Sequence, residues 1–467
     1  MIDCFFMEGL PVAVMGLGNS GLASAKALAA SRAEVWAWDD DAARREAAKQ
    51  AGVNLVDLGT CDWSQPTTLV LSPGIPHTHP APHPVAAAAR AAGVEIVGDI
   101  ELLARAQREA SFIGVTGTNG KSTTTALIGH VLRTAGRETQ VGGNLGTPAL
   151  ALEPVDAGGF FVLEMSSYQI ELTVSLTFDV AVLLNITPDH LDRHGGMDGY
   201  TAAKRRIFHR QTKPRAAVIG VDDDHCRRIH ADLARAGDQR VFPISSEIAV
   251  KGGVYSTDGT LIDDTDGAAQ PALDLRDIAT LPGRHNWQNA AAAYAAARAA
   301  GLAPPVIAQC LRSYPGLKHR QELVAATGGI RFVNDSKATN PDAAAKALAC
   351  YRSIYWIAGG RPKEGGLDPV FPHLGNVKRA FLIGEASARF ARELDGRVAL
   401  EQCGELKKAL ASALAAAQSD KATDAVVLLS PACASFDQFA NFEARGEAFR
   451  RLVAELTGAR KAGERVQ

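Results

Sequence analysis

Along the chain one rhythm recurs: a short apolar run, a glycine-rich turn, then an alanine-rich stretch whose apolar positions fall on one face. That rhythm predicts βαβ units, in which mostly parallel strands are covered by helices. The first unit places a strand at 11–15, a turn from Gly16 to Gly21 and a helix reaching about Ala30. A strand at 34–38 ends beside Asp39, and another ends at Leu71 before Ser72-Pro73-Gly74-Ile75-Pro76. A strand at 94–97 and a helix at 100–108 close the unit. A fresh unit opens with a strand at 112–115 that runs into a Thr/Gly/Lys/Ser segment and a helix to about Ala135. Strands at 160–163 and 180–184 follow, then a hairpin over 254–262 turning at Asp258-Gly259, and an alanine-rich helix at 287–300. A third unit starts near Pro315, with strands at 330–333, 354–357, 380–383 and 425–429 and a polar, frayed tail over 460–467. No fixed-period repeat is present.

The 467 residues exceed one domain and fit roughly three. Hydrophobic residues at 46% and charged residues at 21% describe a folded chain, not a disordered one. The net charge of −2 supplies no basic field for nucleic acid, so an anionic ligand must be met by local groups. Seven scattered cysteines without a C-x-x-C pair fit a reducing compartment and no structural zinc. The first ten residues carry Asp3 and Glu8 and no basic residue, the wrong charge for a secretory signal. No apolar run is long enough to span a membrane, so a cytoplasmic protein is expected.

Chemistry concentrates at the ends of strands. Gly117-Thr118-Asn119-Gly120-Lys121-Ser122-Thr123 lies between a strand and a helix, as a phosphate loop requires. Glycines let backbone N–H groups close on phosphate oxygens, Lys121 can reach the outer phosphates, and Ser122 can ligate Mg²⁺. The spacing departs from G-x-x-x-x-G-K, because Val115 stands five before Gly120, which argues against an ordinary P-loop GTPase. Gly16-x-Gly18-x-x-Gly21, with Asp39 about 20 residues on, matches a dinucleotide fingerprint. Beside a second phosphate loop it suggests a nucleotide-linked substrate; the competing explanation is close helix–strand packing. Glu164 and the Asp189-His190-Leu191-Asp192 run sit at the ends of apolar strands, where open parallel sheets bind ligands and a carboxylate can hold Mg²⁺. By itself His190 reads as a structural histidine, and Lys204 as part of a solvated basic helix face. In the third unit, Asn334 to Asn340, the cationic loop Gly359 to Gly366, and Ser430 to Gln438 are three polar strand ends expected to converge on one rim. Cys433 among them has no His-Asn pairing and reads as passive.

In combination these motifs resemble the Mur ligases of bacterial peptidoglycan synthesis. The resemblance runs from Val12 to about Phe449 and adds Gly142-Gly143-Asn144-Leu145-Gly146, Glu164-Met165-Ser166-Ser167-Tyr168-Gln169, Asn185 to His194, and Gly283-Arg284-His285-Asn286. The Ser72-Pro73-Gly74 loop, the Asn334 to Asn340 run and the Ser430 to Phe439 run resemble the glutamate-adding branch. An Asp-Asn-Pro-Arg element of the diaminopimelate-adding branch is not found. The six residues before Met7 have no counterpart in the family pattern, which makes Met7 a candidate start.

The resemblance implies an α/β chain of three domains. They are a Rossmann-like substrate domain at 1–109, a central P-loop-type ATPase domain at 110–315 and a Rossmann-like domain at 316–467. It implies ATP-dependent addition of D-glutamate to UDP-N-acetylmuramoyl-L-alanine through an acyl phosphate, by a cytoplasmic monomer. It implies two Mg²⁺ sites: Ser122 and Glu164 at the first, His190 and a carbamylated Lys204 at the second, with Lys121 on the phosphates. Gly117, Thr118, Asn119, Gly120, Thr123, Asn286, Asn289, Arg320 and Asp335 would meet the nucleotide. Leu17, Asp39, Ser72 and Gly74 would frame the uridine diphosphate, and Asn144 the alanyl end. Lys337, Thr339, Lys363, Ser435 and Phe442 would bind D-glutamate, and ATP would draw the last domain onto the central one. The nearest rival is a folylpoly-γ-glutamate synthase, against which the nucleotide-sugar loops argue. An NAD-dependent oxidoreductase would leave the Lys121 loop unexplained. A non-catalytic nucleotide-binding module would leave Glu164, His190 and Lys204 without a role.

Overall fold

A computed structural model describes residues 1–362, 365–421 and 424–457. Three sheets organise the chain. The first comprises β1 (Pro11–Met15), β2 (Glu34–Trp38), β3 (Thr68–Leu71) and β4 (Glu95–Val97) in the order 2-1-3-4, all parallel. The second comprises β5 (Ser111–Thr116), β6 (Thr139–Gly143), β7 (Phe160–Glu164), β8 (Val180–Leu183), β9 (Ala216–Gly220), β10 (Arg240–Ser245), β11 (Val254–Thr257), β12 (Thr260–Asp263) and β13 (Gln270–Asp274). Its order is 13-12-11-10-9-8-5-7-6, parallel except for the last two pairings, β11 with β12 and β12 with β13. The third comprises β14 (Glu322–Thr327), β15 (Ile330–Asn334), β16 (Ile354–Gly359), β17 (Val377–Ile383), β18 (Leu400–Gly404) and β19 (Ala425–Leu429), ordered 14-15-19-16-17-18. Only β14, at an edge, runs antiparallel in it.

The chain divides into two compact units. One holds the first two sheets, Met1–Ile278 with Arg284–Tyr314; the other holds Ala279–Gly283 and the chain from Pro315 onward. In the first unit every residue of β7, β8 and β9 is buried, the continuous apolar signature of parallel strands covered on both faces. Glu101, fully buried on the helix Asp99–Ala106, ties that helix to the segment before β8. It accepts the N–H groups of Val174 at 2.8 Å and Ser175 at 2.9 Å, the Ser175 hydroxyl at 2.5 Å and Arg105 Nε at 2.9 Å.

The strands expected from the pattern all form, some at the expected bounds and the others one to three residues longer or shorter, and the hairpin turns at Asp258-Gly259. The alanine-rich helix begins earlier than expected, at Arg284. The pattern misses β6, whose last two residues are glycines, β14, an edge strand with only partly buried and exposed residues, and also β9, β10, β13 and β18. The tail at 460–467 lies outside the described residues.

Candidate active site

β5, third from one edge of the nine-stranded sheet, ends at Thr116, and the helix Lys121–Thr134 begins five residues on. Gly117 and Gly120 have φ of +151° and +86°. A Cβ at Gly120 would stand 2.3 Å from Asn289 Oδ1, so the loop needs glycine both for its backbone and for its neighbour. Lys121 folds back on its own loop, donating to the carbonyls of Gly117 and Thr118 at 2.9 Å each. Ser122 and Thr123 are buried at the helix start. Asn289, 3% exposed, accepts the Thr124 hydroxyl at 3.2 Å and donates to Asn286 Oδ1 at 3.1 Å, which places it behind the loop as a brace.

Around this loop the neighbouring strand ends bring acids and a second lysine. Glu164 closes β7, 3% exposed. Its Oε1 accepts Asn144 Nδ2 at 2.8 Å, while Oε2 is buried with no hydrogen-bond partner. A buried carboxylate oxygen left unpaired beside a phosphate loop suits a cation. Lys204 is not on a solvated face: it is 2% exposed, lies 4.7 Å from the Tyr200 ring centroid and donates to Gly117 O at 2.9 Å. The helical pattern missed this because Met197–Arg205 turns Lys204 inward beside buried Tyr200 and Ala203. Burial, then the nearby Lys121 charge, lowers its pKa to about 7, against the weaker pull of Asp189 and Glu164. His190 is exposed at φ +51°, its ring 5.3 Å from that of Tyr168. Among the described residues no three His, Cys, Asp or Glu side chains converge as a metal site.

Leu17 and Asp39 meet directly in the first sheet: Asp39 Oδ2 accepts the Leu17 N–H at 2.6 Å and Oδ1 accepts that of Asp41 at 2.8 Å. Burial raises the Asp39 pKa, but these bonds and the Arg44 charge outweigh it and hold the group below the usual carboxylate range. Ser72 Oγ donates to Gly16 O at 2.9 Å, and a Cβ at Gly21 would stand 1.7 Å from that same oxygen. Close helix–strand packing accounts for the third glycine of the run, and the helix Asn19–Ala30 starts without a side-chain cap. Exposed Gly74 accepts Arg193 Nη1 at 2.9 Å, and the Arg193 guanidinium lies 4.5 Å over the Tyr168 ring.

In the second unit the three polar strand ends do converge. Asp335 N–H donates to Leu429 O at 2.7 Å, Ser430 Oγ to Asp335 Oδ2 at 2.8 Å, and Arg361 and Ala434 exchange backbone bonds at 2.9 and 3.0 Å. Burial raises the Asp335 pKa to about 7, although the Ser430 hydroxyl, the Arg320 charge and the Gln321 N–H oppose it. Lys337 Nζ sits 5.6 Å over the Phe442 ring, with Thr339 part-buried and Ser435 buried. Burial pushes the Cys433 thiol up to about 12, in keeping with a passive cysteine. Lys363 lies outside the described residues. The sequence reading did not single out Arg445, 1% exposed, which donates to Ser336 Oγ and O and to the carbonyls of Cys433 and Ala434 at 2.9–3.3 Å. Its only advance signal is an arginine within a helix that follows the last strand.

A parallel sheet with a strand-to-helix phosphate loop and a buried carboxylate on the adjacent strand end defines a phosphate-handling α/β enzyme. Residues 115–297 match the Mur ligase middle domain and residues 319–433 the Mur ligase glutamate ligase domain. The UDP-N-acetylmuramoylalanine–D-glutamate ligase of Rhodospirillum rubrum is 54% identical, covering 99% of this chain and 98% of its own. The ligase of the same name from Paramagnetospirillum magneticum is 55% identical, covering 97% and 98%. The chain belongs to the Mur ligase family. A solved UDP-N-acetylmuramate–alanine ligase from Thermotoga maritima superposes over 97% of this chain and 100% of that one, at a TM-score of 0.57 and 16% identity, a likeness of fold alone.

Proposed function

We infer that this chain is the ATP-dependent ligase that joins D-glutamate to UDP-N-acetylmuramoyl-L-alanine in peptidoglycan precursor synthesis. One observation carries the reading: identity above half, over nearly the full length of both chains, to ligases named for that reaction. ATP transfers its γ-phosphoryl group to the L-alanyl carboxylate, giving an acyl phosphate and ADP. The D-glutamate amine attacks the acyl carbon, loses a proton, and the C–O bond to phosphate breaks. An unactivated carboxylate is a poor electrophile, so catalysis rests on positioning and charge neutralisation.

Within this reading Lys121 exchanges its two loop carbonyls for ATP phosphates. Gly117, Thr118, Asn119, Gly120, Ser122 and Thr123 surround those phosphates, and Asn286, Asn289, Arg320 and Asp335 serve the rest of the nucleotide. Ser122 and Glu164 would hold one Mg²⁺, His190 and a carbamylated Lys204 the other; bound Mg²⁺ supplies charge neutralisation for the phosphoryl oxygens. The carbamate needs a neutral amine, and a lysine of pKa about 7 provides one at neutral pH. Leu17, Asp39, Ser72, Gly74 and Asn144 belong to the UDP-sugar, Lys337, Thr339, Lys363, Ser435 and Phe442 to D-glutamate. The three domains are assigned as 1–109, 110–315 and 316–467, in a cytoplasmic monomer; among the described residues no helix is long and apolar enough to cross a membrane.

The test is phosphate release from ATP and Mg²⁺ with UDP-N-acetylmuramoyl-L-alanine and D-glutamate, L-glutamate or no amino acid. Release that depends on D-glutamate is the expected result. Equal release with L-glutamate overturns the substrate, and ATP binding without release under any condition overturns the ligase.

A further inference from the structure

The phosphate loop is gripped from one side by Asn185, the second residue after β8, which the proposed mechanism leaves without a role. Its backbone carbonyl accepts the Thr118 N–H at 2.9 Å. Its side-chain Oδ1 accepts the Asn119 N–H at 2.9 Å, and its Nδ2 donates to Asn119 O at 3.2 Å. A side-chain amide makes that pair in one orientation only, because the N–H must meet the oxygen end.

What fixes the orientation lies deeper. Asn185 Nδ2 faces Gln288 Oε1 at 3.4 Å, and Gln288 Nε2 donates to Asp222 Oδ2 at 2.7 Å. Asp222 Oδ1 accepts the Ser245 hydroxyl at 2.5 Å, and Oδ2 also accepts the Ser246 N–H at 3.0 Å. Ser245 Oγ itself accepts the N–H groups of Glu247 and Ile248, so its proton is committed to Asp222. Both Asp222 oxygens are thus needed as acceptors, and an ionised carboxylate is acceptor-only. The path is close-packed: a Cβ on Gly220, at the end of β9, would stand 2.0 Å from Leu184 O and 3.5 Å from Gln288 Nε2.

We propose that Asp222, Gln288 and Asn185 are positioning residues, a relay of one-way hydrogen bonds that sets the Asn119 backbone of the phosphate loop for nucleotide. The acceptor-only carboxylate orients the Gln288 amide, which orients the Asn185 amide, which holds Asn119. The proposal rests on the ATP-ligase reading for its nucleotide, but it is measured by ADP binding, without turnover. Absence of phosphate release from the parent enzyme would therefore fail that reading and leave the relay to be judged separately.

The test is a polarity swap. D222N turns a donor toward Gln288, and Q288E sets two carboxylates together. D222N/Q288E restores the sense toward Asn185, at the loss of the Ser246 N–H bond: the amide introduced at position 222 donates to the carboxylate introduced at position 288, and that carboxylate still accepts from Asn185. Each single variant is expected to raise the Kd for ADP and the KM for ATP about tenfold, with kcat changed less than KM. The double variant is expected to bind ADP more tightly than either single variant, which a merely structural role would not do. Parent-like ADP affinity in both single variants, or a double variant weaker than either, overturns the relay. Should D222N not fold, Q288M leaves Asp222 with its two serines and must still weaken ADP; parent-like affinity there overturns the proposal as well.

Discussion

Lys121 and Lys204 direct their amine nitrogens at one acceptor, the carbonyl oxygen of Gly117, each at 2.9 Å. Two ammonium groups on one carbonyl repel, and the buried one yields: burial first and the Lys121 charge second bring Lys204 to about 7. A nucleophilic amine at neutral pH follows, as carbamylation by CO₂ requires.

Activity should therefore depend on dissolved CO₂, and more so in acid. One pH unit below a pKa of about 7 only about a tenth of the amine is neutral, one unit above about nine tenths. Phosphate release in CO₂-depleted buffer is expected to fall, to recover with bicarbonate, and to need more bicarbonate at pH 6 than at pH 8. K204A should lose about two to three orders of magnitude in kcat. Full activity in K204A would remove Lys204 from the site.

The unpaired Glu164 Oε2 predicts how the enzyme responds to metal. Chelation should abolish phosphate release, with recovery on adding Mg²⁺. E164Q keeps the bond to Asn144 but removes the charge, and should raise the Mg²⁺ concentration for half-activity by about tenfold or more. An unchanged Mg²⁺ titration in E164Q would show that the carboxylate does not meet the ion.

At Gly21 sterics decide. A Cβ placed 1.7 Å from Gly16 O must push the helix Asn19–Ala30 off the β1 turn. G21A is expected to raise the KM for the UDP-sugar by about tenfold or more and to destabilise the protein by about 2–4 kcal/mol, read by urea unfolding. The KM for D-glutamate should stay near the parent's. Parent-like stability would mean that the turn yields cheaply.

Asp335 gives a pH signature of the second unit. Its folded pKa of about 7 lies above the ordinary carboxylate value, so between the two the folded state binds more protons than the unfolded one. The group's contribution is fully present at about pH 4 and is lost as pH rises through about 7, with a slope of at most about 1.4 kcal/mol per pH unit. D335N should flatten that part of the stability profile, followed as thermal midpoint against pH. A D335N profile parallel to the parent's would show that Asp335 is ionised in the folded state.

Alternating runs of strand and helix, each followed by glycine and polar residues, were enough to read the α/β class and the polar strand ends. The reason is local. A parallel strand buried on both faces must be apolar for its whole length, and a loop that binds phosphate must contain glycine. Gly117 to Thr123, Glu164 and Asp335 were legible on those terms. Edge strand β14 was not, because half-exposed positions dilute the pattern; nor were β6, β9, β10, β13 and β18, nor the contacts behind the phosphate loop.

Residues distant along the chain carry no mark that they will meet. Lys204 looked like a solvated cation until Met197–Arg205 packed it against Tyr200 and Gly117. Asn185, Gln288 and Asp222 are ordinary polar residues until β8, β9 and the helix Arg284–Ala299 bring them into one line. The alternation of strand and helix and the glycine-rich turns between them follow from the order of residues alone, since hydrophobic period and glycine steric limits act over a few positions. Which lysine is buried and which way each amide points follows only from the folded arrangement, because desolvation and hydrogen-bond direction depend on neighbours that folding supplies.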